Sequence, residues 1–184
     1  MSQLTPAVTL ALSYLTLLGD IFIILWLVWL IGRRGFSSGN INRGLNFFSR
    51  QGIKFAFIIA LIATLGSLFY SEVAGFAPCT LCWYQRIFMY PQVLLWGIAW
   101  WKQEKHIADY AISLAFVGGA IAAYHYLLAL QPTAAVACAT VGYSASCTQN
   151  FFLQLGYITI PMMALTAFIL IIIGGLAVKR KRAE

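Results

Sequence analysis

Acidic residues are nearly missing from this chain. Asp20, Glu72, Glu104, Asp109 and Glu184 are the only five in 184 positions, and with twelve Lys and Arg they bring the charged fraction to just 9%. Such a shortage, alongside 61% hydrophobic residues and a mean hydropathy of +0.83, excludes an ordinary soluble globular domain. The composition is that of an integral membrane protein. No barrel-type alternation of apolar and polar residues is present. No basic patch interleaved with stacking aromatics occurs either, so the net charge of +7 is not a nucleic-acid footprint. Internal repeats, low-complexity tracts and a soluble domain are also lacking. The first apolar stretch has no positive leader and no A-x-A-like cleavage site before Arg33, so it is read as a span and not as a secretory signal.

What the chain does have is length of apolar run. A bilayer core about 30 Å thick needs roughly 20 apolar residues per helix, and five stretches meet that need, at about 8–32, 53–71, 84–101, 108–130 and 156–178. Because lipid offers no hydrogen-bond partners, each must satisfy its own backbone and form a helix. The expected fold is an all-α integral membrane protein, a four-helix transmembrane bundle with one extra N-terminal transmembrane helix. It divides into that helix at 1–32, a basic cytoplasmic loop at 33–52, the four-helix core at 53–178 and a basic cytoplasmic tail at 179–184.

Charge gives the orientation. Arg33, Arg34, Arg43, Arg50, Lys54, Lys102, Lys105, Lys179, Arg180, Lys181 and Arg182 all fall in segments that five spans put on one side, and basic residues mark the cytoplasmic side. The N-terminus and the loops at 72–83 and 131–155 then face outward. Arg86 alone breaks the rule. Within the cytoplasmic loop, "RRGFSSGNINRGLNFFSRQG" sets Phe47 and Phe48 among basic groups, which suits an interfacial segment.

The four cysteines, Cys79, Cys82, Cys138 and Cys147, all belong to the two outward loops, where oxidising conditions let disulfides persist. Three chemistries are open to them: two redox pairs that exchange a disulfide, a four-thiolate metal site, or two structural bridges. Cys138 and Cys147 are spaced more widely than a zinc knuckle, which favours the redox reading over the metal. Cys79 and Cys82 form a C-x-x-C at the start of the third helix, where the helix dipole and free N–H groups favour a thiolate. Arg86 is one turn beyond Cys82 on the same face. Its permanent charge favours the thiolate further, whereas the bland alternative is a side chain snorkelling to the headgroups.

Other polar residues have ordinary readings. His125 in "AAYHYLLAL" fits a backbone or headgroup contact, and His106 a solvated turn. Asp20, inside the first span, is a functional candidate by position but is read here as a packing residue. Trp83, Tyr84, Tyr90, Trp96, Trp100 and Trp101 are expected in interfacial belts, and Pro91 is expected to kink the third helix of the five. The uncharged loop at 131–156, rich in Ala, Ser, Thr and Gly, is expected to be mobile, with "FFLQLGY" at 151–157 lying along the membrane surface.

Taken in order, "PCTLCWYQRIFMYP", a short basic turn, a helix containing "YHYLL", a loop with two further cysteines and "GYITIPMMAL" resemble the DsbB/BdbC family of bacterial disulfide-generating membrane enzymes, over roughly residues 50–180. The span before that region is additional to the family's four helices. Vitamin K epoxide reductase-like proteins also use a helical bundle with C-x-x-C, but there it follows the loop pair, whereas here it precedes it. The resemblance implies a quinone-dependent oxidoreductase of the bacterial cytoplasmic (inner) membrane. It would reoxidise a DsbA-like thioredoxin-fold oxidase and pass the electrons to the membrane quinone pool, ubiquinone or menaquinone, generating disulfides for protein folding. It implies no metal and no nucleic acid. By position, Cys138 would form the mixed disulfide with the partner and Cys147 would hand electrons inward. Cys79 would accept them, Cys82 would face the quinone, and Arg86 and His125 would stand beside it.

Overall fold

The computed structural model describes residues 4–32, 39–130 and 151–183. Five long helices make up the fold: α1 (Leu4–Gly32), α2 (Gly39–Leu68), α3 (Thr80–Lys102), α4 (Ile107–Leu130) and α5 (Ile160–Ala183), with a π-helical turn at Phe69–Val73 extending α2. Four helical stretches, one each in α1, α2, α4 and α5, are long and apolar enough to cross a membrane. The other helix, α3, spans 23 residues and is less apolar because Gln85, Arg86 and Gln92 interrupt it. These polar groups turn inward: Gln85 and Gln92 are buried. The fold is therefore the all-α multi-pass membrane architecture expected from composition.

Two local expectations shift. α2 already begins at Gly39, inside the segment read as a loop, since no proline interrupts the run from Gly39 to Leu68. Trp96 is not in an interfacial belt but fully buried. Its indole N–H donates to Gln92 Oε1 at 3.0 Å, and the Gln92 amide donates to the Ala111 carbonyl at 2.9 Å, a ladder that ties α3 to α4. Satisfying both polar side chains internally removes the desolvation cost that would otherwise bar them from the bundle. α3 continues unbroken through Pro91.

α2, α3, α4 and α5 enclose a core rich in Ala, with Trp96, Phe168, Ile171 and Val178 as its large members. Small residues let the helices approach closely, which is how apolar helices gain contact in lipid. Gly118 is the tightest case, since a Cβ there would collide with the Phe168 ring and come within 2.9 Å of Phe88 Cβ. Gly118→Leu is expected to overpack α3, α4 and α5 at a cost of about 1–3 kcal/mol, read as a lower thermal unfolding midpoint in detergent. Unchanged melting would mean that this contact is not close in the membrane-embedded protein.

α1 packs mainly on α5 and leans over α2. Its buried residues are Thr9, Ser13 and Thr16, two of which satisfy their hydroxyls on their own helix, Ser13 to the Thr9 carbonyl at 2.7 Å and Thr16 to the Leu12 carbonyl at 2.9 Å. The rest of α1 is largely exposed and apolar, a surface suited to lipid.

Candidate active site

The site begins with the end of the loop before α3. After Pro78, Cys79 is the N-cap of α3, with φ −77° and ψ 170°; its sulfur accepts the Cys82 backbone N–H at 3.3 Å. One helical turn separates the two cysteines, so their side chains meet: Sγ to Sγ is 2.8 Å. Cys79 is buried and Cys82 partly so.

His125 reaches this pair from α4. Its Nε2 is 3.7 Å from Cys79 Sγ, and its Nδ1 is 2.8 Å from the Gln85 amide nitrogen. With the amide donating, Nδ1 is the acceptor and the ring hydrogen sits on Nε2, facing the sulfur. Gln85 is thus a positioning residue for His125, and sequence reading missed it. The available signal is a polar residue inside an apolar span.

The Cys79 thiol is pulled down to about 4, first by the hydrogen bond from the Cys82 thiol, against the opposing effect of burial, and then by the hydrogen bond and charge of His125. A depressed value means that the thiolate persists as pH falls, and is lost only on approaching that value. In reduced protein carrying Cys138→Ser and Cys147→Ser, thiolate ultraviolet absorbance is therefore expected to survive well below the ordinary thiol range near 8.5. His125→Ala should move the midpoint upward by about one unit or more. A midpoint indifferent to His125 would remove it from the site.

Arg86 lies on the same wall of α3. Its Nε donates to Ser67 Oγ at 3.0 Å and its Nη2 to the Ser67 carbonyl at 3.2 Å, and the guanidinium sits 5.3 Å from the Trp83 ring centroid. The side chain is tethered to α2 through Ser67. Cys82, Gln85, Arg86 and Ser67 all face one cavity of about 390 Å³ whose remaining lining is overwhelmingly apolar, a size and chemistry typical of small-molecule sites. At the cysteine end, Tyr70, Phe76 and Phe151 stack in series, with centroids 5.7 Å and 4.6 Å apart, and all three line the cavity. Residues 151–157 thus dock on the bundle through aromatic rings.

The sequence-predicted residues are brought together as far as they are described: Cys79, Cys82 and His125 form one cluster, and Cys82 shares a cavity with Arg86. Cys138 and Cys147 lie outside the described residues. Ligand atoms of Cys79, Cys82 and His125 fall within 4.8 Å of one another, which bears on the metal alternative. Two thiolates on a tetrahedral zinc, each at about 2.3 Å, would stand about 3.8 Å apart. The closer sulfurs seen here suit direct sulfur–sulfur chemistry.

Long helices around a dithiol that opens on an apolar cavity define the class: an all-helical, multi-pass membrane protein built on a thiol pair. The family model described as "Disulfide bond formation protein DsbB" matches residues 49–178, and the chain belongs to that family. Among its relatives, "Probable disulfide formation protein C 1" of Bacillus cereus is 48% identical over 113 residues, 61% of this chain and 80% of its own length. "Disulfide bond formation protein C" of Bacillus subtilis strain 168 is 42% identical over 129 residues, 70% of this chain and 93% of its own length. No solved structure matches. α1 lies outside the matched region.

Proposed function

We propose that this protein is a membrane thiol–disulfide oxidoreductase that reoxidises an extracytoplasmic DsbA-like dithiol oxidase and delivers the electrons to a membrane quinone. The observation that carries the reading is the meeting of the Cys79–Cys82 pair with an apolar cavity that also holds Arg86. Thiol exchange by itself only moves disulfides between proteins, so net oxidation needs an electron acceptor. The cavity fits a quinone by its donor set: a sulfur that can give electrons, a fixed cation for an oxygen that gains charge, and apolar walls. The Tyr70 hydroxyl, on a side chain only 5% exposed in the same wall, has no partner at full hydrogen-bond distance among the described residues, Thr9 engaging it only weakly.

The sequence of exchange follows from the thiols. One partner thiolate attacks Cys138 of a Cys138–Cys147 disulfide, giving a mixed disulfide and freeing Cys147; the second partner thiol then displaces Cys138, and the partner leaves oxidised. Cys147 attacks Cys79 of the Cys79–Cys82 disulfide, freeing Cys82, and Cys138 closes on Cys147 to restore the loop pair. The inner pair is left as a dithiol. Closing it again releases two electrons and two protons, which a quinone held beside Cys82 and Arg86 would accept on its reduction to hydroquinone. His125 stabilises the Cys79 thiolate, Arg86 offers a cation beside Cys82, and the aromatic stack excludes water. In this reading the cysteine loops and N-terminus lie outside a bacterial cytoplasmic membrane and the C-terminus inside, as the basic residues favour.

The test is oxidation of a reduced DsbA-like protein by purified, detergent-solubilised enzyme with a short-chain ubiquinone or menaquinone. Partner thiols should be consumed with one hydroquinone formed per disulfide. Consumption no faster than with quinone alone would overturn the proposal.

A further inference from the structure

α1 is the one helix that the family region does not include, yet it builds part of the site. Leu12, Leu15, Thr16, Leu18, Gly19 and Phe22 line the same cavity as Cys82 and Arg86. Leu15 and Leu18 are also 49% and 62% exposed, so they form a rim where the cavity meets the lipid-facing surface.

The attachment of α1 is specific. Asp20 Oδ1 accepts the Thr166 hydroxyl of α5 at 2.7 Å, and its Oδ2 accepts the Tyr157 hydroxyl at 3.0 Å. The Tyr157 carbonyl in turn accepts the Tyr126 hydroxyl of α4 at 3.2 Å. Next to Asp20, Gly19 lets α1 close on α5, since a Cβ there would already stand 3.0 Å from Thr166 and Leu170 side-chain carbons. A carboxylate within an apolar helix is costly in lipid unless it is paired. Here both oxygens are engaged, and the engagement fixes the depth and rotation of α1 against the cavity.

We propose that α1, positioned by Asp20, is the lipid-side wall of the acceptor cavity and a specificity-determining element for the quinone, with the ring toward Cys82 and Arg86 and the apolar tail along Leu12, Leu15 and Leu18. This rests on the quinone reading above. The occupant is argued from the cavity itself: its redox and cationic groups lie on α3, while the α1 side is apolar and opens at a rim. A water-soluble acceptor would have no use for that rim; a lipid-dissolved one with a tail requires it. The matched family region supplies α2 to α5, so this wall is a feature of the present chain and its tail preference is set by residues outside the family core.

The test uses the full-length protein in lipid nanodiscs and a quinone carrying a photoreactive azide on its tail, with labelled peptides mapped by mass spectrometry. The expected result is label on the α1 peptide containing Leu12 to Leu18, displaced by excess unlabelled long-tail quinone. Asp20→Ala should lower α1 labelling about fivefold, as for loss of an interhelical polar clasp. Leu15→Trp, which fills the rim and leaves the clasp intact, should lower it similarly in a variant whose folding is not at issue. Displaceable label confined to α2 to α5 would overturn the role of α1 and leave the quinone reading standing. Absence of displaceable label anywhere in the chain would overturn both.

Discussion

Cys82→Ser is expected to abolish quinone-dependent turnover, by about a thousandfold or more, as when one member of a unit that acts together is removed. The reason is geometric. Cys79 and Cys82 are the only described sulfurs in contact, 2.8 Å apart, and the inner disulfide cannot re-form without both. Cys79 loses its disulfide partner in this variant, so Cys147 has no inner disulfide to attack. After one turnover with reduced partner the variant should therefore stop with Cys79, Cys138 and Cys147 all as free thiols, visible by alkylation and peptide mapping, because the electrons have no inner disulfide to enter. Retention of near-normal turnover by Cys82→Ser would show that electrons leave by another route, and the proposed order would fail.

Arg86→Gln is expected to slow quinone reduction by roughly a hundredfold, the usual scale for losing one preorganised electrostatic donor in a water-excluded site. Exchange between Cys138 and the partner should continue. The structure makes the companion variant more telling. Arg86 holds Ser67 through two different nitrogens, Nε to the hydroxyl and Nη2 to the carbonyl, which leaves Nη1 free of that clamp while the charge stays fixed in the cavity wall. Lysine cannot reproduce this arrangement, because its single ammonium lacks the planar fork. Arg86→Lys should accordingly resemble Arg86→Gln in quinone kinetics. If Arg86 served only to anchor the helix at the headgroups, lysine would be silent, since an ammonium snorkels as readily. A silent Arg86→Lys with full quinone turnover would return the residue to that role.

The membrane class and the number of helices were legible in the sequence, because both follow from conditions that act on each segment separately. A bilayer demands enough apolar residues to cross it and internal satisfaction of every backbone group, and neither demand depends on what the segment packs against. The same holds for the C-x-x-C motif at the head of α3: a spacing of three residues at a helix start brings two sulfurs together whatever surrounds them.

Only the tertiary structure decided which faces meet. Most of these helices are apolar nearly all round, so their sequences carry no polar face that would point the other side inward. Trp96 read as a belt residue and is core, because Gln92 accepts its ring N–H where lipid could not, the Gln92 amide in turn donating to the Ala111 carbonyl. His125, 46 positions from Cys79, drew weight from family likeness alone until the helix packing set it against the sulfur, with Gln85 holding its far nitrogen. Asp20 announced itself as an unusual charge, but its partners Tyr157 and Thr166 lie 137 and 146 residues away. No local pattern links such positions; the close approach of α1 to α5 at Gly19 does, and with it comes the wall that α1 gives to the cavity beside Cys82 and Arg86.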